Sequence, residues 1–122
     1  MMDMNWLATI VGFVAAFALS FLWFGPLFGR VWAAGSHGIT PPERLPAVAL
    51  VLYAVGVGCL ALVIGATATI DALGTALAAI GAAAVLVTSS SLFSQKSGAA
   101  ALIDGGCILV MGAVMIAAQG IF

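Results

Sequence analysis

Charged side chains are scarce in this sequence. Asp, Glu, Lys and Arg make up 6% of the 122 residues, whereas about a quarter of a typical soluble domain is charged. Hydrophobic residues account for 65%, so a water-soluble fold would lack the polar side chains to cover its surface. We therefore predict an integral membrane protein with the lipid bilayer as its solvent. The seven charged residues are Asp3, Arg30, Glu43, Arg44, Asp71, Lys96 and Asp104.

Basic residues, cysteines and histidines, which commonly act in nucleic-acid binding, metal binding and catalysis, are also few. Three basic residues and a net charge of −1 cannot form the positive surface that binds nucleic acid, so nucleic acid is excluded as a partner. Cys59 and Cys107 lie in apolar runs and are interpreted as small hydrophobic residues. His37, the single histidine, lies in a loop. Without a catalytic triad, a ligand cluster or a phosphate-binding glycine loop, we expect no enzyme activity, no metal and no cofactor.

Four long apolar runs remain. Each has the roughly 20 residues that a helix needs to cross the hydrocarbon core. They cover about residues 5–24, 47–68, 72–93 and 99–121. Gly25-Pro26 should end the first run, because proline cannot donate the next helical hydrogen bond, and a short amphipathic turn is possible over 27–34. The prediction is an all-α bundle of four antiparallel transmembrane helices, forming one transmembrane domain over 1–122 with no soluble domain.

The orientation of the bundle follows from its basic residues. With four crossings, loops 25–46 and 94–98 share a side, and they contain Arg30, Arg44 and Lys96. Loops rich in Lys and Arg stay in the cytoplasm, so both termini should lie on the opposite side. Trp6 is then expected to anchor the outer interface, and Trp23 and Trp32, with Arg30 and Lys96, the inner one.

Small residues recur at helical spacing within the runs. Helices in lipid associate where small side chains let their backbones approach closely. We expect such positions to face other helices, as ordinary bundle packing rather than as a dedicated dimer motif. The set is Gly58, Gly65, Gly74, Ala78, Ala82 and Gly105.

Asp104 is the most informative polar residue, because it lies about 8 Å into the last helix. A carboxylate at that depth is costly unless it is paired, protonated or hydrated. Two interpretations stay open: a proton- or cation-binding group, or an acid stabilised by the helix dipole and by nearby Lys96 or Arg30. Every helix places a hydroxyl or carboxylate at this level, which predicts either a small polar pocket or a hydrogen-bonded helix clamp. This candidate polar layer contains Ser20, Tyr53, Thr88, Ser91 and Asp104.

Two blocks of the sequence resemble a known family. The first consists of residues 4–6 (Met-Asn-Trp), 22–26 (Leu-Trp-Phe-Gly-Pro), 28–30 (Phe-Gly-Arg) and Trp32. The second consists of residues 92–93 (Leu-Phe), Lys96 and 102–105 (Leu-Ile-Asp-Gly). Together they resemble the family called domain of unknown function 1761, which groups small bacterial membrane proteins.

The resemblance implies four spans in a bacterial inner membrane and no known activity. In such a membrane, the orientation expected from the basic loops places both termini in the periplasm. Gly25 replaces the usual Ser of the family, Asp104 the usual Asn and Gly106 an aromatic residue. Because Asp104 stands where an amide is usual, a charge-dependent role does not carry over from the family.

Two functional hypotheses follow. The first is an accessory or structural subunit that packs in a homo-oligomer or a larger membrane complex. The second is a transporter or channel for an ion or small molecule that uses the candidate polar layer.

Overall fold

A computed structural model describes residues 3–38 and 46–122. Four long helices in this part of the chain have the length and apolar composition of membrane spans, which confirms the predicted all-α membrane fold. The connections at 69–72 and 94–97 are so short that consecutive helices run antiparallel. The elements are α1 (Trp6–Leu22), a π-helical turn (Trp23–Leu27), α2 (Gly29–Gly35), α3 (Ala47–Ala68), α4 (Leu73–Phe93) and α5 (Gly98–Ile121).

Side-chain caps fix where α1 and α5 begin. The Asn5 Oδ1 atom accepts a hydrogen bond from the Ala8 N–H at 3.0 Å, and the Ser97 Oγ atom accepts one from the Ala100 N–H at 3.1 Å. Both bonds satisfy N–H groups that have no partner within the first helical turn. The helix boundaries predicted from the apolar runs are correct to within one or two residues.

The first long helix is interrupted at Gly25-Pro26, as the sequence predicts. The α-helix ends at Leu22, and in the π-helical turn that follows, Gly25 has non-helical dihedral angles, φ −102° and ψ −106°, at a kink. Pro26 has no N–H with which to continue the helical hydrogen bonds, and the Phe28 N–H donates to the Trp23 carbonyl at 3.0 Å. The short turn expected over 27–34 is present as α2.

Helix α5 is the central element of the bundle. It has 44% of its span buried, against 28% for α1, 17% for α3 and 22% for α4. It packs closely along both α1 and α4 and also contacts α2 and α3. Helices α3 and α4 contact each other less closely, so the bundle is more open on that side.

Three of the six predicted packing residues lie at helix contacts within the chain. A Cβ atom on Gly105 would lie 2.9 Å from the Ala84 carbonyl oxygen of α4, so only glycine fits this crossing. Gly65 is buried against Thr9 of α1, and Gly58 lies against the Phe13 ring.

The other three packing residues are on the outer face of α4. Gly74, Ala78 and Ala82 are exposed, and no neighbouring atom lies within 4 Å of the Cβ position of Gly74. The prediction that they face other helices is therefore not met within this chain. Composition alone could not show this, because small residues occur on both the buried and the exposed faces of α4.

Candidate functional site

Asp104 lies two turns into α5 and accepts hydrogen bonds from three side chains. The Trp32 Nε1–H donates to its Oδ1 atom at 2.7 Å. The Ser91 hydroxyl and the Lys96 ammonium donate to its Oδ2 atom at 2.5 Å and 3.0 Å. We call Trp32, Ser91, Lys96 and Asp104 the Asp104 cluster. It connects α2, α4, the 94–97 loop and α5.

The cluster compensates a carboxylate that is mostly removed from solvent. The Asp104 side chain is 11% exposed and that of Lys96 is 22% exposed. A carboxylate in such surroundings is stable only when paired and hydrogen-bonded. Lys96 supplies the opposite charge, and its ammonium also lies 5.1 Å from the centroid of the Trp32 ring, a favourable cation–π distance. The arrangement corresponds to the interpretation of Asp104 as a paired acid, with Lys96 rather than Arg30 as its cation.

Backbone and aromatic contacts hold α2 in place over this cluster. The Ser97 N–H donates to the Gly35 carbonyl at 2.9 Å, and the His37 Nε2 atom lies 2.8 Å from the Ser94 carbonyl oxygen. The Phe24 ring packs edge-on against the Trp32 ring, with 5.3 Å between centroids. The first two contacts join the end of α2 to the loop between α4 and α5, and the third packs the Trp32 ring against the turn that precedes α2.

The tryptophans predicted as interfacial anchors behave differently from one another. Trp6 is 54% exposed, as an anchor would be. Trp23 and Trp32 instead direct their indole N–H groups into the protein: Trp23 donates to the Ile103 carbonyl at 2.8 Å. Gly106 leaves room for the Trp23 ring, which would lie 3.3 Å from a Cβ atom at that position.

Of the two predicted basic anchors, Lys96 belongs to the Asp104 cluster, whereas Arg30 is exposed. Arg44, assigned to the same loop by its sequence position, lies outside the described residues.

The rest of the candidate polar layer does not form one continuous site. Ser20 and Thr88 donate to carbonyl groups of their own helices, at Phe17 (2.6 Å) and Ala84 (2.8 Å). The Tyr53 hydroxyl lies 3.7 Å from the Met111 sulfur atom. Ser91 and Asp104 are joined by the hydrogen bond of the Asp104 cluster.

An apolar cleft lies where α3 and α4 separate. It has a volume of about 610 Å³. Its rim includes the exposed residues Leu52 and Cys59, and its floor is formed by buried Cys107 and Met111 of α5. Asp104 lines one end of the cleft. We call this space the α3–α4 cleft.

Sequence reasoning identified Asp104, Ser91 and Lys96 but missed two features. Trp32 is 72 residues from Asp104 in the chain, and nothing in its local sequence distinguishes an indole that faces lipid headgroups from one that faces a carboxylate. The α3–α4 cleft depends on the separation of two helices, which their sequences do not reveal. Among the described residues, no three His, Cys, Asp or Glu side chains lie close enough together to hold a metal ion.

Comparison with known proteins identifies a family but no characterised relative. The family model described as "Protein of unknown function (DUF1761)" matches residues 7–119. No curated protein and no solved structure matches the chain. The match extends from α1 into the last turn of α5 and includes the Asp104 cluster.

Proposed function

The chain belongs to the DUF1761 family of proteins of unknown function, and from this premise we propose that it is an accessory subunit that assembles in the membrane with a second copy of itself or a larger partner. The observation that carries this proposal is the outer face of α4. Gly74, Ala78 and Ala82 follow one another at every fourth position and are exposed. We call these three residues the α4 face.

Association with another helix in the membrane would explain the small residues of the α4 face. Between helices in lipid there is no hydrophobic driving force, so association relies on close backbone approach at small residues. The comparable glycines on α5 and α3, Gly105 and Gly65, already have neighbouring helices within the chain. The α4 face has the same small side chains and is left accessible to another helix.

Transport is the second candidate, because the α3–α4 cleft reaches Asp104. A carboxylate that exchanges protons or cations must become available to them in some state of the protein. Here its two oxygens accept from Trp32, Ser91 and Lys96. A fully paired acid supports a structural role better than an exchanging one, and this ranks the accessory subunit first.

For the location, we propose a bacterial inner membrane with residues 25–46 and 94–98 in the cytoplasm and both termini in the periplasm. Arg30 and Lys96 support this orientation, since they belong to the same end of the bundle and basic residues are retained in the cytoplasm. We call this end the Lys96 end.

The assembly proposal is tested by placing a large side chain on the α4 face. The Ala78→Phe variant is compared with Ala18→Phe, a matched change at an exposed position of α1. Two differently tagged copies are co-expressed and extracted in polymer nanodiscs, and co-purifying chains are quantified by mass spectrometry. We expect Ala78→Phe to reduce recovery of the companion chain about tenfold, which corresponds to about 1.4 kcal/mol of association free energy. Ala18→Phe should leave recovery unchanged.

A wild-type chain that purifies as a monomer without a stoichiometric companion would contradict the proposal. So would an Ala78→Phe variant that recovers its companion at the wild-type level.

A further inference from the structure

We propose that a pocket at the end of the bundle opposite the Lys96 end binds a small primary alkyl ammonium ion. The pocket lies where α3 and α5 end and α4 begins, and its volume is about 320 Å³. We call it the Asp71 pocket. None of the three residues of the α4 face lines it, so the site is separate from the surface proposed for assembly.

Three side chains give the Asp71 pocket oxygen acceptors. Asp71, in the turn between α3 and α4, supplies an exposed carboxylate. The Thr67 hydroxyl of α3 donates its hydrogen to the Ile64 carbonyl at 2.9 Å, which leaves its oxygen as an acceptor. Gln119 of α5 supplies an amide. A primary ammonium has three N–H donors, one for each of these side chains.

A chain of hydrogen bonds determines which end of the Gln119 amide can accept. The Thr9 hydroxyl donates to the Asn5 carbonyl at 2.9 Å, so its oxygen must act as the acceptor towards Gln119. The Gln119 Nε2–H donates to that oxygen at 3.1 Å, and this bond assigns the nitrogen to the Thr9 side of the amide. The Gln119 Oε1 atom is therefore the acceptor that the amide can offer to a ligand.

The charge of the Asp71 pocket favours a cation. Of the described residues that line it, Asp71 alone is charged. The partial negative charges of two helix C-termini, those of α3 and α5, also outweigh the partial positive charge of one N-terminus, that of α4. An anionic ligand would meet the Asp71 carboxylate without a basic side chain in this lining to offset the repulsion.

The walls of the Asp71 pocket indicate the rest of the ligand. Ile64 and Ala76 are each 2% exposed and line it together with Ile116. These apolar side chains can contact a short hydrocarbon chain, but they cannot supply the roughly six to eight oxygen ligands that Ca²⁺ takes. The described lining contains no aromatic ring, whereas quaternary ammonium ions are bound in aromatic cages. A volume near the lower limit of about 300 Å³ for ligand pockets fits a short primary amine.

A free alkylamine fits the Asp71 pocket better than a phosphatidylethanolamine headgroup, which also carries a primary ammonium. In the headgroup, a phosphate lies close to the nitrogen. That phosphate would be placed beside the Asp71 carboxylate and against the apolar side chains of Ile64 and Ala76, and both contacts are unfavourable. An alkylamine instead places hydrocarbon there.

The Asp71→Asn variant removes the carboxylate charge and keeps the shape of the side chain. Asp71 has a left-handed backbone conformation with φ 52°, which Asn adopts more readily than most residues. The backbone of the turn should therefore be retained. Asp3→Asn is the matched control, because Asp3 is also an exposed acid and does not line the pocket.

A second pair of variants changes the space in the Asp71 pocket. Gly120 lines the pocket, and no atom lies within 4 Å of its Cβ position. A leucine side chain at this position thus has room to extend into the pocket. Gly98→Leu is the matched control, because Gly98 is an exposed glycine with equally open surroundings at the other end of α5.

The experiment measures the dissociation constant of n-butylammonium by ligand-observed NMR, with the full chain in phosphatidylcholine nanodiscs and empty nanodiscs as the blank. We expect the wild type to bind n-butylammonium at least about tenfold more tightly than 1-butanol or tetramethylammonium, a difference of about 1.4 kcal/mol. Asp71→Asn and Gly120→Leu should each weaken binding by at least about tenfold, whereas Asp3→Asn and Gly98→Leu should not. Circular dichroism establishes that the variants retain the wild-type helix content.

Three results would overturn the proposal. One is an unchanged affinity of Asp71→Asn for n-butylammonium, because the carboxylate would then not hold the ligand. Another is equal affinity of the wild type for 1-butanol, which would show a merely apolar pocket. The third is loss of n-butylammonium binding in phosphatidylethanolamine nanodiscs, which would assign the Asp71 pocket to a lipid headgroup.

Discussion

At the scale of single residues, Asp104 shows how a membrane helix accommodates a carboxylate. Its cost in an apolar environment is offset by one cation and two neutral donors, and each comes from a different element of the fold. Hydrogen bonds to charged groups contribute about 1.5–3 kcal/mol each, although such contributions are not additive within one cluster. The Asp104 cluster therefore stabilises the arrangement of α2 and the 94–97 loop on α5.

Replacing Asp104 should weaken this arrangement measurably. We expect Asp104→Ala to lower the free energy of unfolding by about 2 kcal/mol, because Lys96 is left partly buried without its counter-charge. The measurement is denaturant unfolding in micelles followed by circular dichroism. Asp3→Ala, at an exposed acid near the N-terminus, is the control and should leave the transition unchanged. Equal stability of the two variants would show that the Asp104 cluster contributes nothing to the fold.

At the scale of helices, the packing of α5 against α4 depends on glycine. Gly105 lets the two backbones approach until its Cβ position lies 2.9 Å from the Ala84 carbonyl oxygen. Gly112 lies against the Ile80 side chain in the same contact. In lipid, such close approach replaces the hydrophobic contribution that drives helix packing in water.

Adding a methyl group at Gly105 should lower the stability of the protein. We expect Gly105→Ala to destabilise the protein by about 1–3 kcal/mol, because the backbone of α4 cannot yield as a flexible side chain would. Gly81→Ala on α4 is the matched change at a position with open space around its Cβ. It should be neutral or stabilising by up to about 1 kcal/mol, since alanine has the higher helix propensity. The two variants are compared by thermal unfolding in the same detergent. If Gly81→Ala were destabilised and Gly105→Ala unaffected, close packing at Gly105 would not stabilise the fold.

At the scale of the whole molecule, the distribution of charge between the two ends of the bundle predicts its orientation in the membrane. Arg30 and Lys96 both belong to the Lys96 end, although they come from different loops. The opposite end has polar contacts between neutral side chains, among them the Gln119 Nε2–H that donates to the Thr9 hydroxyl at 3.1 Å. Retention of basic residues in the cytoplasm then predicts which end faces the cell interior.

This orientation can be measured by cysteine labelling. In a chain with Cys59→Ser and Cys107→Ala, single cysteines are introduced as Ser94→Cys and Asp3→Cys, both at exposed positions. We expect a membrane-impermeant maleimide to label Asp3→Cys in spheroplasts and to label Ser94→Cys only after the membrane is opened. The opposite pattern would reverse the proposed topology.

Features that depend on local composition can be predicted from the sequence. Apolar runs of bilayer length define the four long helices, because a helix satisfies its backbone hydrogen bonds internally whatever its neighbours are. A cation beside Asp104 could be predicted as Lys96 or Arg30, and Lys96 is a candidate because only eight residues separate it from Asp104 across a helix start. The family could also be recognised from short residue blocks.

Tertiary structure alone decided which face of each helix is covered. In water, an apolar stripe identifies the buried face of a helix, but in lipid both faces are apolar. The α4 face and Gly105 therefore look alike in sequence and differ completely in their surroundings. For the same reason, the position of Trp32 beside Asp104 and the α3–α4 cleft emerge only when the helices are assembled, because both depend on contacts between distant parts of the chain.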